Sequence, residues 1–200
     1  PDLQDRVEEQ LGAPVVQMYG MTETAGQIAS NGVDTDRRKR NSVGQAAGAE
    51  IAILDRLGNP LPQGKSGEVC VKGPGVMRGY LGSAADVFHG PWLRSGDEGY
   101  LDEDGVLFLT GRLKDILNRG GEKISPLEIE RCAVGLAGVD EAAVFAIAHP
   151  TLGDDVGLAV VLEGGSQLRP EELRAQLATR LAEFKVPRKI EVLGQLPKLG

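Results

Sequence analysis

The apolar positions of this chain change rhythm near its middle. Before about residue 113 they come in short runs parted by turn residues. Val15 to Met18 predicts a short strand that delivers Tyr19-Gly20 into a turn, placing Thr22 and Glu23 at its C-terminal end. Open α/β sheets hold their ligands at that edge. Ile51 to Leu54, the turn Leu57-Gly58-Asn59-Pro60 and Gly67 to Lys72 read as strand, turn, strand. Asp102-Glu103-Asp104-Gly105 divides two β-rich runs, so residues 99 to 110 predict a hairpin. Further on, Ser125, Pro126 and Glu128 are suited to a helix cap, first position and first turn, and predict a helix to about residue 136. Glu141 to Ala148 and Val156 to Leu162 are apolar, β-rich runs. Pro170 opens a second helix with Leu173, Leu177 and Leu181 along one face, and Lys189 to Leu193 is a last strand.

These elements predict an α+β chain in two parts. Residues 1–113 are expected to form a distorted β-barrel subdomain at the end of a larger domain. Residues 114–200 are expected to form a compact α+β lobe with the order β-α-β-β-α-β. No internal repeat or low-complexity tract interrupts either part.

Composition narrows the class. An apolar content of 41% and a charged content of 26% suit a soluble globular protein and not a disordered one. A net charge of -7 argues against a nucleic-acid partner. The one basic cluster, Arg37-Arg38-Lys39-Arg40, reads as a solvated loop in preference to a phosphate or CoA contact. Cys70 and Cys132 match no metal or CxxC spacing and predict buried thiols in a reducing, cytoplasmic setting. His89 and His149 lack ligand-spaced partners, which argues against a structural zinc. No stretch reaches the roughly 18 apolar residues of a membrane helix, and no secretory signal opens the chain. Pro1 in place of Met predicts a piece of a longer or processed protein.

The candidate chemistry lies in ordered clusters. Thr22 and Glu23 after Tyr19-Gly20 can be a helix cap and first-turn acid, or a ligand site. Asp97 follows Ser95-Gly96 and can be a plain turn residue or an outward-facing acceptor. Arg112 can pair with Asp97 or Glu98, or face a ligand. Lys114 and Asp115 stand where a hinge between the parts would fall. Gly120-Gly121 reads as a hairpin turn between Ile116 to Asn118 and Lys123-Ile124, and lets another group approach closely. The loop lacks P-loop spacing.

Taken in order, these clusters resemble the adenylate-forming superfamily of acyl-CoA synthetases, luciferases and peptide-synthetase adenylation domains. Tyr19-Gly20-Met21-Thr22-Glu23 resembles its YGxTE motif. Ser66 to Pro74 with Met77-Arg78-Gly79-Tyr80 resembles its GE(L/V)xxxGPxxMxGY motif. Ser95-Gly96-Asp97 and Gly111 to Asp115 resemble its (T/S)GD and GRxKD motifs. The resemblance implies ATP, Mg²⁺ and CoA as cofactor and co-substrates, with a small-molecule carboxylic acid as partner. It implies that Thr22 and Glu23 are catalytic, with Thr22 on the adenylate phosphate and Glu23 on Mg²⁺. It further implies that Tyr19, Gly20, Asp97 and Arg112 bind nucleotide, Asp97 through the ribose hydroxyls. Lys114 would be the hinge, and Gly120-Gly121 would line the path of the pantetheine arm.

The family's phosphate loop lies upstream of YGxTE and its catalytic Lys in a closing LPxxxxGK pattern. Neither falls within these residues, and Lys198 occupies a variable slot of the pattern. The 200 residues are therefore expected to be inactive by themselves. The run Gln27-Ile28-Ala29-Ser30-Asn31 is similar to the branch of oxalyl-CoA and other short-acid synthetases, with Gly26 where that branch tends to carry His. An acid–CoA ligase is the expected activity. An adenylation domain that loads a carrier protein, a luciferase-like relative and a non-catalytic interaction lobe are the alternatives.

Overall fold

The computed structural model describes residues 2–34, 38–81 and 87–197. The chain divides into two compact units, Pro1–Leu113 and Lys114–Gly200.

The first unit opens with a helix that the sequence reading passed over, α1 (Asp2–Leu11). Three two-residue strands follow, β1 (Met18–Tyr19), β2 (Ala29–Ser30) and β3 (Gln45–Ala46), paired antiparallel in that order. Of the expected Val15–Met18 strand only Met18 finds a ladder, and Tyr19, expected in the turn, is the other strand residue, because their partner β2 is itself two residues long. A five-stranded antiparallel sheet contains β4 (Glu50–Leu54), β5 (Gly67–Lys72), β6 (Phe88–His89), β7 (Trp92–Leu101) and β8 (Leu107–Arg112). β5 lies between β4 and β7, and Val69, Cys70 and Val71 on it are wholly buried. The long β7 carries β6 against its first residues and β8 against its last. A bridge between Gly44 and Leu107 joins the two sheets. Among the described residues neither sheet closes on itself, where the sequence led us to expect a distorted barrel. The short β6 and β8 share one edge of β7, and β4 has its ladder partner on one side only. Tyr19, Ile28, Ala29, Val43, Ile53, Val69, Val71 and Leu107 form the core of this unit.

Of the basic cluster, Arg38 departs from the solvated loop expected, whereas the Arg40 side chain is 72% exposed. The Arg38 guanidinium is nearly buried and meets Glu8 of α1 at 2.5 Å, while Lys39 reaches Asp102 and Asp104 at 2.5 Å each. Arg40 pairs with Asp5 at 3.0 Å. Arg38, Lys39 and Arg40, alike in charge and adjacent in sequence, are each offset by acids of α1 or of the β7–β8 turn. Arg37 and Lys198 lie outside the described residues.

The second unit contains β9 (Leu117–Arg119), β10 (Glu122–Ile124), α2 (Pro126–Val134), β11 (Val139–His149), β12 (Gly153–Leu162), α3 (Pro170–Ala178) and β13 (Lys189–Leu193). The second strand of the hairpin is β10, so the order is richer by one strand than the sequence pattern. α2 stops two residues short of the expected end, with Gly135 at its C-cap. β12 is the centre of the sheet, antiparallel to β11 along its length and parallel to β13 through Gly157 to Val161. Its residues Val156, Leu158 and Val160 enter the core that α2 and α3 complete, and Gly157 and Ala159, on the opposite face, are buried as well, with the Phe145 ring against Gly157. Ile129 and Ala133 of α2 and Leu173 and Leu177 of α3 complete the core.

Candidate functional site

In the first unit, β1 ends in a tight turn whose form is set by contact. Gly20 has no room for a side chain, since a Cβ there would sit 2.0 Å from the Gly26 carbonyl oxygen. The chain folds back at once, with the Ile28 N–H donating to the Tyr19 carbonyl at 2.8 Å. Between them Thr22–Thr24 forms a single 3-10 turn, stapled by Thr24 Oγ1, which donates to the Met21 carbonyl at 2.9 Å. Thr22 is exposed on this turn, and Glu23 is half-buried.

The Tyr19 ring is buried in the core, and its hydroxyl donates to Asp97 Oδ2 at 2.6 Å. Burial, reinforced by that carboxylate, raises the phenol well above the tyrosine range. Asp97 faces Arg112 across the β7–β8 ladder, and Arg112 Nε meets the other carboxylate oxygen at 3.2 Å. Ser95, Gly96 and Asp97 lie within β7, at an irregularity of its ladder with β5, and not in the turn expected from sequence; Gly96 adopts a φ of 74° there, and the Asp97 N–H donates to Ser95 Oγ at 3.0 Å. The ion pair weighed from sequence for Arg112 is thus formed, but its side chain is 62% exposed and open to other partners. Tyr19, Gly20, Thr22, Glu23, Asp97 and Arg112 therefore belong to one neighbourhood, tied by the Tyr19–Asp97 bond.

A loop after β5 covers the Glu23 turn. The Met77 N–H donates to the Glu23 carbonyl at 2.8 Å, and the Tyr80 hydroxyl donates to the Glu23 carboxylate. That second bond holds the Glu23 carboxyl below its ordinary range and raises the Tyr80 phenol. Tyr80 closes the Met77-Arg78-Gly79-Tyr80 run, whose spacing in the sequence assigns it no task.

In the second unit, Gly120 and Gly121 form the two-residue turn of the β9–β10 hairpin with φ of 61° and 94°. Both positive values call for glycine whatever else the turn does. The Gly120 N–H donates to the Leu152 carbonyl at 2.7 Å, and the Gly121 N–H to Asn118 Oδ1 at 3.1 Å. Lys114 is exposed in the turn that leads into this unit. Asp155, which the sequence reading missed, is buried beneath the hairpin. It holds Arg119 Nε at 2.5 Å, with Arg188 at 3.7 Å and His149 at 3.9 Å. Burial opposes its ionisation, but the Arg119 hydrogen bond and the neighbouring Arg119, Arg188 and His149 together outweigh it and hold its carboxyl below the usual range.

Among the described residues no three His, Cys, Asp or Glu side chains gather into a metal cage, and no helix is long and apolar enough to cross a membrane.

This ordered set of turns belongs to a known family. The chain is a member of the AMP-binding enzymes: the model of the AMP-binding enzyme matches residues 1–81, and that of the AMP-binding enzyme C-terminal domain matches residues 128–200. It is 40% identical to a probable CoA ligase of Humulus lupulus, matching 99% of this chain and 38% of that protein. It is 39% identical to an oxalate–CoA ligase of Saccharomyces cerevisiae, matching 96% of this chain and 36% of that protein. Among solved structures, ATP-bound MatB from Rhodopseudomonas palustris superposes with a TM-score of 0.90 at 33% identity, over 99% of this chain and 40% of that one. The chain thus spans about two-fifths of the length of the relatives it matches.

Proposed function

We propose that the protein is an acid–CoA ligase that activates a carboxylic acid with ATP and passes the acyl group to CoA. The observation that carries this reading is the Tyr19–Asp97 hydrogen bond, which draws the Thr22–Glu23 turn and the Asp97–Arg112 pair into one neighbourhood. In the first step a substrate carboxylate oxygen attacks the α-phosphorus of ATP, and the bond to pyrophosphate breaks. In the second the CoA thiol attacks the acyl carbon, AMP leaves, and the thiol proton passes to solvent. Charge crowds the first step, so oriented donors and cations matter more than a proton-transfer base.

Each residue has a part. Asp97, with one oxygen on Tyr19 and one near Arg112, is an acceptor for the ribose hydroxyls. Arg112 is exposed enough to turn toward ribose or phosphate. The hydroxyl of Thr22 donates to the α-phosphate, and Tyr19 and Gly20 shape the nucleotide side of the turn. Gly120-Gly121 lines the pantetheine path, and Lys114 is the hinge on which the C-terminal unit reorients between the two steps.

Mg²⁺ is expected with ATP. A single ionised carboxylate suits it, because Mg²⁺ on a nucleotide is bound through one or two carboxylates plus the phosphates. Glu23 is such a ligand: a hard oxygen donor, half-buried and held in its charged form. The cation would supply charge neutralisation at the phosphates.

The acyl acceptor is read as CoA because the relatives named above are CoA ligases. The test is ATP–pyrophosphate exchange by the intact protein with a panel of oxalate, sulfoacetate, ferulate and 2-succinylbenzoate, the acids for which relatives are named. Exchange that depends on one acid, followed by thioester formation when CoA is added, supports the reading. Folded, ATP-binding protein that exchanges with no carboxylic acid overturns it.

A further inference from the structure

We propose that Tyr80 is a positioning residue for Glu23: its hydroxyl fixes one carboxylate oxygen and leaves the other to a divalent cation. The inference rests on the reading of Glu23 as the cation's ligand and adds a residue to it.

The geometry is specific to one short loop. Gly73 to Tyr80 leaves β5 and lies across the 3-10 turn, gripping Glu23 at both ends of the residue. Its main chain is held by the Met77 N–H on the Glu23 carbonyl at 2.8 Å, and its side chain by the Tyr80 hydroxyl on Oε1. The loop is itself folded, with the Val76 N–H on the Gly73 carbonyl at 3.2 Å. It also sits close: a Cβ on Gly75 would stand 3.2 Å from the Thr24 carbonyl oxygen. Gly79 adopts a φ of 142° with open space where a Cβ would go, so glycine is needed there for the backbone path and not for room. That path brings Tyr80 back over the turn. Burial does not account for Tyr80, which is 49% exposed. Its visible work is the bond to Glu23.

A half-buried glutamate without such a donor samples several rotamers, and a cation must order it on arrival. Hydrogen-bonded partners of ligating carboxylates commonly set cation affinity, and their loss costs about tenfold or more. Tyr80 fills that place here, and because it donates to Oε1 alone, Oε2 remains for the metal.

The test measures metal binding directly, with Mn²⁺ as a paramagnetic stand-in for Mg²⁺ and a non-hydrolysable ATP analogue, on the intact protein. Tyr80→Phe should raise the Mn²⁺ dissociation constant roughly tenfold while leaving the unfolding midpoint unchanged. Glu23→Gln should weaken binding at least as much, and adding Tyr80→Phe to it should weaken binding no further. Unchanged Mn²⁺ binding in Glu23→Gln overturns the cation role of Glu23 and this inference with it. Weakened binding in Glu23→Gln but not in Tyr80→Phe overturns the positioning role alone. Additive losses in the double variant also overturn it, since Tyr80 would then act elsewhere than on Glu23.

Discussion

Tyr19 and Asp97 lie 78 residues apart in the chain and share a hydrogen bond of 2.6 Å. One end of that bond is buried in the core and the other is at the proposed nucleotide site, so it links fold stability to ligand binding. Asp97→Asn keeps the shape but weakens the acceptor. It should raise the KM for ATP in pyrophosphate exchange roughly tenfold to a hundredfold, the range for a lost hydrogen bond to a charged group.

Tyr19→Phe tests the other end. The folded state raises the phenol, so its contribution is whole below the unfolded tyrosine value of about 10 and is lost as pH climbs past it. The variant should lose about 1 kcal/mol at pH 7. In urea unfolding it should also show less alkaline decline than the unmodified protein.

Gly20→Ala separates backbone packing from ligand contact. An alanine Cβ would meet the Gly26 carbonyl oxygen at 2.0 Å, and backbone on both sides leaves little to yield. Overpacking of this kind costs about 2–3 kcal/mol, measurable as a lowered urea midpoint with no nucleotide present. An unchanged midpoint would mean that Gly20 serves the ligand and not the turn.

Asp155→Asn probes the charge beneath the β9–β10 hairpin. Its carboxyl is depressed in the folded state, so its stabilisation is present above the unfolded aspartate value of about 3.9 and fades as pH falls below it. At pH 7 the variant should lose on the order of 2 kcal/mol, and the two unfolding curves should converge in acid. A gap that persists unchanged at low pH would sink the electrostatic account.

Gly120→Ala and Gly121→Ala address the acyl acceptor. Both φ values are positive, so each alanine should cost about 1 kcal/mol in stability. If the turn also borders the pantetheine path, thioester formation should fall by more than pyrophosphate exchange does. Equal losses in the two half-reactions would leave the turn with a purely structural task.

How much of this was legible in the sequence depended on whether a residue's partner was near in the chain. The β7–β8 turn, the cap position of α2 and Leu173 and Leu177 of α3 follow from spacing alone, whereas Leu181, expected on the same helix face, lies beyond the end of α3 at Ala178. α1 was not read, although Leu3, Val7 and Leu11 recur at helical spacing. Arg38 looked solvated because Glu8, its partner, is 30 residues earlier. The same distance hid the bond of Tyr80 to Glu23, 57 residues apart, and that of Arg119 to Asp155, 36 apart. The motifs marked where the chemistry of the candidate site would gather. They did not show which side chains hold the others in place, because that is decided by pairing across sheets.

The position of β13 has a consequence for how the second unit is made. Its parallel place beside β12 can be filled only after α3 has crossed over, and Ile190 on β13 belongs to the same core as Leu173 and Leu177. During synthesis, then, the earlier strands can pair while the ribosome is still at work. The central strand stays open along one edge until Leu193 has left the exit tunnel, and for that interval its apolar residues are exposed to chaperones or to neighbouring chains.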